Sequence, residues 1–169
     1  STLWEARKSP GATFLAADGT VVARRGAFNG ALIPVSKLPD HLPHAVIATE
    51  DRRFYNHFGM DIIGFARALV SNVRAGGIVQ GGSTLTQQLA KNLFLTPTRT
   101  ITRKIQELML AIWLEARLTK DEILTLYLNR VYLGAGTYGV EAASQKYFGK
   151  SARQVTLSEA ALLAGLLKA

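Results

Sequence analysis

The chain has 169 residues, of which 48% are hydrophobic and 19% charged, a composition that indicates a folded globular domain and excludes a disordered tail. It contains no cysteine, which excludes disulfides, cysteine-ligated zinc and thiol catalysis. Twenty Lys and Arg residues against twelve Asp and Glu residues give a formal net charge of +8. This excess favours an anionic partner, such as nucleic acid, a lipid headgroup or a diphosphate.

No apolar stretch approaches the roughly 18 residues that a membrane-spanning helix needs. The chain begins at Ser1 without a methionine, and no signal-peptide pattern follows. At the other end, the apolar helical run 159–167 has no glycine cap or turn after it. We therefore expect the chain to be a module of a longer protein, with any anchor or second domain outside it.

Residues 1–40 are the only part of the sequence with β-like patterning. The extended runs 12–17 and 20–24 flank Asp18-Gly19, a dipeptide that suits a tight turn, so a short hairpin is predicted here. The rest of the chain has helical patterning. The predicted fold class is therefore mainly α with a short N-terminal β segment.

The helices are predicted from capping residues and from glycine or proline stops. The first has Pro43 in its first turn and runs to about Phe58. The second is capped by Asp61 and ends near Arg74, before a glycine-rich loop at 75–82. The others are expected from Ser83 or Thr84 to before Pro97, from Thr100 or Thr102 through Arg117, from Thr119 through Leu133, from Tyr138 to Phe148, and from Ser158 to the end.

The first candidate site is the motif EDRRFYNHFG at residues 50–59. In a continuous helix Glu50, Phe54 and His57 share one face. A carboxylate at the edge of an apolar run, with a histidine two turns away, suits a general base. The residue types by themselves favour a solvated charged patch with local ion pairs, so both interpretations stay open at this point.

The second candidate is GGSTLTQQLAKN at residues 81–92. A glycine-rich loop that enters a helix N-terminus offers an anion free N–H groups and the positive end of the helix dipole. Thr84, Gln88 and Lys91 form a polar stripe, in which Lys91 adds a positive charge. The GxxxxGK-S/T spacing of a nucleotide P-loop is absent. An ordinary capped amphipathic helix is the alternative, and propensity alone favours it.

The third candidate is RKIQE at residues 103–107. Arg103 and Glu107 have the spacing of an exposed helix salt bridge. The apolar run 108–114 follows Glu107, so its carboxylate is expected to be partly buried and to need a partner. Arg103 suits phosphate because its guanidinium binds two oxygens. Residues 127–143 are interpreted as structural, since their glycines set a tight turn and close helix packing.

Taken together, these segments resemble the peptidoglycan glycosyltransferase module of class A penicillin-binding proteins and monofunctional transglycosylases. The motifs occur in the family's order over residues 43–167, and the last of them is LSEAALLAGL. Two of the motifs, GGSTLTQQL and EDxxFxxHxG, are highly specific when they occur together. The resemblance implies a lysozyme-like helical catalytic lobe and a smaller membrane-facing lobe at about residues 60–80. The chain would then comprise a β-like segment at 1–40 and a glycosyltransferase domain at 41–169.

The proposed membrane-facing lobe has an amphipathic pattern. Its apolar residues alternate with Arg67 and Arg74, as an interfacial helix requires. A helix packed on its own core is the alternative. The apolar residues are Ile62, Ile63, Phe65, Ala66, Leu69 and Val70.

The resemblance implies polymerisation of lipid II, a disaccharide-pentapeptide on undecaprenyl diphosphate. An inverting displacement of the lipid diphosphate would give β-1,4 glycan strands. Glu50 would be the general base that deprotonates the acceptor 4-hydroxyl, and Glu107 a second catalytic carboxylate that orients the donor or assists the leaving group. The substrate-binding residues would be Asp51, Phe54, His57, Thr84, Gln88, Lys91, Arg103 and Lys104.

No protein metal site is predicted, because His41 and His44 show no metal-ligand spacing. The resemblance implies no obligatory cofactor but allows Mg²⁺ or Mn²⁺ on the substrate diphosphate. The implied partners are lipid II, the growing glycan chain, the membrane surface, cell-wall synthesis proteins and a C-terminal transpeptidase domain, and not nucleic acid. The implied location is the external, periplasmic face of the bacterial cell membrane, with the anchor in a segment outside this chain.

Three other functions remain as alternatives. A lysozyme-like enzyme that cleaves glycan strands would also use Glu50, but it needs no diphosphate-binding Lys91 and Arg103. A basic helical nucleic-acid-binding module fits the charge, although the basic residues are scattered beside carboxylates and no nucleic-acid motif is present. A catalytically inactive scaffold is disfavoured because Glu50, Lys91, Arg103 and Glu107 are all intact.

Overall fold

The computed structural model describes residues 32–77, 81–95 and 98–167, together with the backbone of two short strands. The strands β1 (Thr13–Leu15) and β2 (Val21–Arg24) pair antiparallel. The predicted hairpin is therefore confirmed where the structure describes it, and its Asp18-Gly19 turn lies outside the described residues.

Seven α-helices account for most of the described residues, so the predicted mainly helical fold is confirmed. It is consistent with the lysozyme-like helical lobe that the resemblance implies. The helices are α1 (His41–Glu50), α2 (Ile62–Ala75), α3 (Leu85–Phe94), α4 (Ile101–Arg117), α5 (Lys120–Leu128), α6 (Val140–Phe148) and α7 (Leu157–Leu166), with 3₁₀ turns at Val35–Lys37, Phe54–Asn56 and Ala152–Gln154.

Most helix starts follow from local capping. Thr84, Thr119 and Thr156 each accept a hydrogen bond from the backbone N–H three residues later, and the Gln or Glu at that position bonds back to the cap. Asp61 and Thr100 cap α2 and α4 through their side-chain oxygens. The predicted caps at Asp61, Thr84, Thr100 and Thr119 are confirmed.

The prediction was wrong at the ends of two helices. The first helix stops at Glu50 and not near Phe58, because Asp51 leaves the helical conformation with φ −157° and ψ 76°. The carboxylate of Asp51 bonds instead to the start of α3. The fifth helix stops at Leu128 and not at Leu133, and the side chain of the residue that follows it forms hydrogen bonds to a distant segment.

That residue, Asn129, joins α5 to the segment before α1. Its Oδ1 accepts a hydrogen bond from Ile33 N at 3.0 Å, and its Nδ2 donates to Ile33 O at 2.8 Å and to Thr125 O at 2.7 Å. Val35 N donates to Thr125 Oγ1 at 3.0 Å nearby. Because Asn129 is only 3% exposed, water would not readily replace these bonds if the side chain were lost.

The core lies around α5, whose residues 123–128 are all buried. The helix α3 packs on α4 and α5, and α1 packs on α7. This arrangement sets the end of α1 and the start of α3 at the surface of one core, which positions the two motifs that they carry.

The helix α2 is the exception, since Ala68 is its only buried residue. The alternative of a helix packed on its own core therefore does not hold for α2. The N-cap Asp61 and the left-handed Gly76 (φ +67°) define its two ends, as the sequence predicts. None of the helices that the structure describes has the length and apolar character of a transmembrane span.

We expect Asn129→Ala to lower the free energy of unfolding by about 2–3 kcal/mol, because it leaves buried backbone groups of Ile33 without partners. The control Asn56→Ala changes an exposed residue and should shift that free energy by less than about 0.5 kcal/mol. Urea denaturation followed by circular dichroism measures both values. Equal stability of the two variants would contradict the role given to Asn129.

Candidate active site

A cleft of about 630 Å³ lies where the end of α1, the start of α2 and the glycine-rich loop before α3 meet. The first two sequence motifs thus contribute to the same cavity. Its wall consists of Ala48, Thr49, Glu50, Asp51, Arg52, Arg53, Asp61, Gly64, Arg67, Gly81, Gly82, Ser83, Thr84 and Gln88.

Glu50, the last residue of α1, lies in this wall. Its Oε2 accepts a hydrogen bond from Gln88 Nε2 at 3.1 Å. Its Oε1 is buried and has no hydrogen-bond partner among the residues that the structure describes. A buried carboxylate oxygen without a partner is unfavourable unless a ligand completes it. The hydrogen-bonding capacity of the Glu50 carboxylate is therefore only partly used within the described part of the chain.

Asp51 and His57 form a buried pair beside Glu50. The Asp51 Oδ2 accepts from Leu85 N at 3.0 Å and lies 2.7 Å from His57 Nε2. Gly59 N donates to His57 Nδ1 at 3.2 Å, which assigns the imidazole proton to Nε2 and directs it at Asp51. The two side chains are 3% and 4% exposed, so this pair shapes the cleft from below its surface.

Thr84 connects the start of α3 to the loop after His57. Its hydroxyl donates to Gly59 O at 2.8 Å and accepts from Gln87 N at 3.1 Å. Gly59 has φ +84°, and a Cβ there would lie 3.0 Å from the Ala111 carbonyl carbon, so glycine is required for the loop to pack on α4. The position of Thr84 therefore depends on this close approach.

The expectation of free N–H groups at the start of α3 was wrong at three positions. Leu85 N donates to Asp51, Gln87 N donates to Thr84, and Thr84 N donates to Gln87 Oε1 at 3.1 Å. These donors are occupied by side chains of the chain itself. These three amides are therefore not available to an anion.

Lys104 brings a positive charge to the edge of the cleft. Its Nζ donates to Ser83 Oγ at 2.6 Å and to Glu107 Oε1 at 3.1 Å. Glu107 is 7% exposed, so the expectation of a buried carboxylate with a partner is confirmed, and that partner is Lys104. Neither Lys104 nor Glu107 belongs to the cleft wall itself.

The other two predicted cationic residues also lie outside the wall. Lys91 is exposed in the C-terminal half of α3. Arg103 is half-buried, and its Nε donates to Thr98 Oγ1 at 3.0 Å. Among the described residues, no group of three or more His, Asp or Glu side chains is arranged to hold a metal ion.

A buried polar network behind the cleft was not predicted from the sequence. Glu115, 8% exposed, accepts hydrogen bonds from Thr86 Oγ1 at 2.8 Å and from Lys120 Nζ at 2.7 Å. Lys120 Nζ also donates to His57 O at 2.7 Å and lies 4.5 Å from the ring centroid of Phe54. Phe54 is fully buried, so it supports the cleft from beneath.

The sequence carries only a weak signal for this network. Glu115 and Lys120 are five residues apart and belong to different helices, α4 and α5. The i,i+3 and i,i+4 spacing rules apply within one helix, so they do not connect these two residues. The break at Leu118-Thr119 turns the chain and brings the two side chains together.

The interpretation of residues 127–143 as structural is confirmed at Gly139 and incomplete at Tyr127. A Cβ on Gly139 would lie 2.5 Å from Asn129 O, so this glycine permits the predicted close packing. Tyr127, in contrast, donates its hydroxyl to Gln88 Oε1 at 3.1 Å. This motif therefore reaches the residue that bonds to Glu50.

We expect Lys120→Met to lower the free energy of unfolding by about 3 kcal/mol, because it leaves the buried Glu115 carboxylate without its ionic partner. The control Lys146→Met alters an exposed lysine on α6 and should have an effect below about 0.5 kcal/mol. Chemical denaturation of both variants gives the difference. If Lys120→Met lowered the free energy of unfolding by no more than Lys146→Met does, the network would not be stabilising.

The sequence model of a protein family described as transglycosylase matches residues 18–169 of this chain. Penicillin-binding protein 1A of Aquifex aeolicus (strain VF5) is 58% identical over 137 residues, which cover 81% of this chain and 19% of that protein. The protein of the same name in Escherichia coli (strain K12) is 48% identical over 169 residues, 100% of this chain and 20% of that protein.

A third relative is penicillin-binding protein 1A of Haemophilus influenzae (strain ATCC 51907 / DSM 11121 / KW20 / Rd), which is 52% identical over 153 residues, 90% of this chain and 18% of that protein. The chain thus spans about a fifth of the length of these relatives. The extent of the family match and these identities confirm the family and the enzyme class that the motifs predict: the chain belongs to the transglycosylase family.

Proposed function

We propose that this chain polymerises lipid II into β-1,4 glycan strands, with Glu50 as the general base. The proposal rests on the hydrogen bonding and the burial of the Glu50 carboxylate. One of its oxygens is held by Gln88, and the other is buried and without a partner among the described residues. Membership of the transglycosylase family supports glycosyl transfer as the reaction.

The chemical step would be a direct displacement. The acceptor 4-hydroxyl gives its proton to Glu50 Oε1 while its oxygen forms a bond to the anomeric carbon of the donor. The bond from that carbon to the diphosphate oxygen breaks, and the lipid diphosphate leaves with the electron pair. Attack opposite an α-linked leaving group gives a β-linked product, so the step inverts the anomeric centre.

The leaving diphosphate needs positive charge on the α3 and α4 side of the cleft. The Lys104 ammonium donates a hydrogen bond to Ser83 in the cleft wall. Arg103 precedes Lys104 near the start of α4, and its guanidinium can bind two phosphate oxygens. Lys91 adds a third cation on α3. We assign Glu107 the role of orienting the Lys104 ammonium, since the two groups are in contact. Mg²⁺ or Mn²⁺, where present, would be carried by the substrate diphosphate.

The apolar side of α2 supports contact with the membrane surface. Its large apolar side chains are 49–73% exposed, far more than a soluble helix normally leaves to water. Arg67 and Arg74 on the same helix suit anionic headgroups. This face would hold the cleft close to lipid II on the external side of the bacterial membrane. The exposed residues are Ile62, Ile63, Phe65, Leu69, Val70 and Val73.

We expect Glu50→Gln to reduce polymerisation of labelled lipid II in detergent by at least about a thousandfold, since the amide keeps the size of the side chain but cannot accept the proton. Initial rates of glycan formation measure the change. The matched control is Glu122→Gln in the capping box of α5, where glutamine also serves as a capping partner, so wild-type rates are expected.

Retention of polymerisation by Glu50→Gln would overturn the assignment of the base. The same preparations incubated with finished peptidoglycan distinguish the main rival function. Release of soluble fragments in the absence of lipid II would identify a lysozyme-like glycan-cleaving enzyme instead.

The double variant Phe65→Ser/Leu69→Ser tests the membrane contact. We expect its binding to phosphatidylglycerol vesicles to weaken by at least about tenfold, because two apolar side chains no longer enter the interface. Co-sedimentation with the vesicles measures binding. The control Leu157→Ser/Leu162→Ser removes two equally exposed leucines from α7 and should bind as wild type does. The same loss in both double variants would argue against a specific role of α2.

A further inference from the structure

A hydrogen-bonded chain of three side chains leads from the protein core to Glu50. Tyr127 of α5 donates its hydroxyl to Gln88 Oε1 of α3 at 3.1 Å. Gln88 in turn donates Nε2 to Glu50 Oε2 of α1 at 3.1 Å. Each residue comes from a different helix, so the chain depends on the packing of α1, α3 and α5.

The direction of these bonds is determined by chemistry. An ionised carboxylate only accepts hydrogen bonds, so the amide group of Gln88 has to present its NH₂ to Glu50. Its carbonyl oxygen then faces Tyr127 and needs a donor. Rotation of the amide by 180° would place that oxygen against the carboxylate oxygen, which is repulsive. Tyr127 supplies that donor and so stabilises the same orientation of Gln88 that the carboxylate favours.

Tyr127 is suited to this role because it stays protonated. Burial raises the pKa of Tyr127 well above its ordinary value, and the nearby charge of Glu50 raises it further. The residue is 1% exposed and does not line the cleft. It therefore acts on the substrate only through Gln88 and Glu50.

We propose that Tyr127 is a positioning residue of the glycosyl transfer reaction. It orients the Gln88 amide, which then donates its hydrogen bond to Glu50 Oε2 and leaves Glu50 Oε1 to accept the proton. This inference rests on the proposed role of Glu50 as the base. Without the phenol hydroxyl, the Gln88 amide keeps only one of its two hydrogen-bond partners, so the donor that restrains the Glu50 carboxylate is held less firmly. The position of the base then becomes less defined, which slows the chemical step more than it weakens substrate binding.

The test is a double-mutant cycle on lipid II polymerisation, with kcat and KM measured separately. We expect Tyr127→Phe to lower kcat by about tenfold with little change in KM, and Gln88→Leu to lower kcat by at least as much. In the Gln88→Leu background, Tyr127→Phe should have almost no further effect, because the amide that it orients is gone. The control Tyr147→Phe removes a hydroxyl that bonds to Leu133 O at 2.8 Å, and wild-type kcat is expected.

Two results with Tyr127→Phe would overturn the inference. One is a wild-type kcat in Tyr127→Phe. The other is a loss that simply multiplies with that of Gln88→Leu, as a general structural effect would produce. Gln88→Leu keeps the Tyr127 side chain itself, so kcat can be measured in that variant even if Tyr127→Phe is poorly folded. A wild-type kcat in Gln88→Leu would equally contradict the inference. Activity of Glu50→Gln in the same assay would instead show that the proposed base is wrong.

Discussion

The carboxylate of Asp51 is the interaction on which the arrangement of the cleft depends. It bonds to the backbone of Leu85 and to His57 with the same oxygen, so a single side chain joins the end of α1 to the start of α3. Because the carboxylate is bonded outside its own helix, α1 ends at Glu50. The proposed base thus lies at a helix end, at the border between the apolar core and the cavity. The bonds from Gln88 to Glu50 and from Thr84 to Gly59 O join the same two motifs, and Asp51 reinforces them with a side chain that is only 3% exposed.

The opposite burial of α2 and α5 shows that apolar content does not decide which helix forms the core. Both are rich in apolar residues, yet residues 123–128 of α5 are all buried while Ala68 alone is buried in α2. The surroundings make the difference, since α5 packs extensively on α3 and on the segment before α1, whereas α2 packs on none of the described helices to a comparable extent. The exposed face of α2 is thereby available to a lipid surface, in agreement with the function that we propose.

Features that depend on neighbours in the sequence could be predicted, and features that depend on distant partners could not. The caps Asp61, Thr84 and Thr119 act within three residues, and their patterns are visible in the sequence. The Asn129 bonds to Ile33 cross 96 positions, and nothing local indicates them. Glu50 and Gln88 are 38 residues apart, so the sequence could bring them into one site only through the resemblance to a family.

The occupied amides at the start of α3 have a consequence for how a charged substrate is captured. With those donors used internally, the proposed diphosphate meets ammonium and guanidinium groups on long side chains, and the Lys104 side chain is 53% exposed. Attraction between such groups and an anion is screened over about 8 Å at physiological ionic strength. If the cleft captures a lipid-linked diphosphate as we propose, that capture should therefore weaken as ionic strength rises, more than capture by buried backbone amides would.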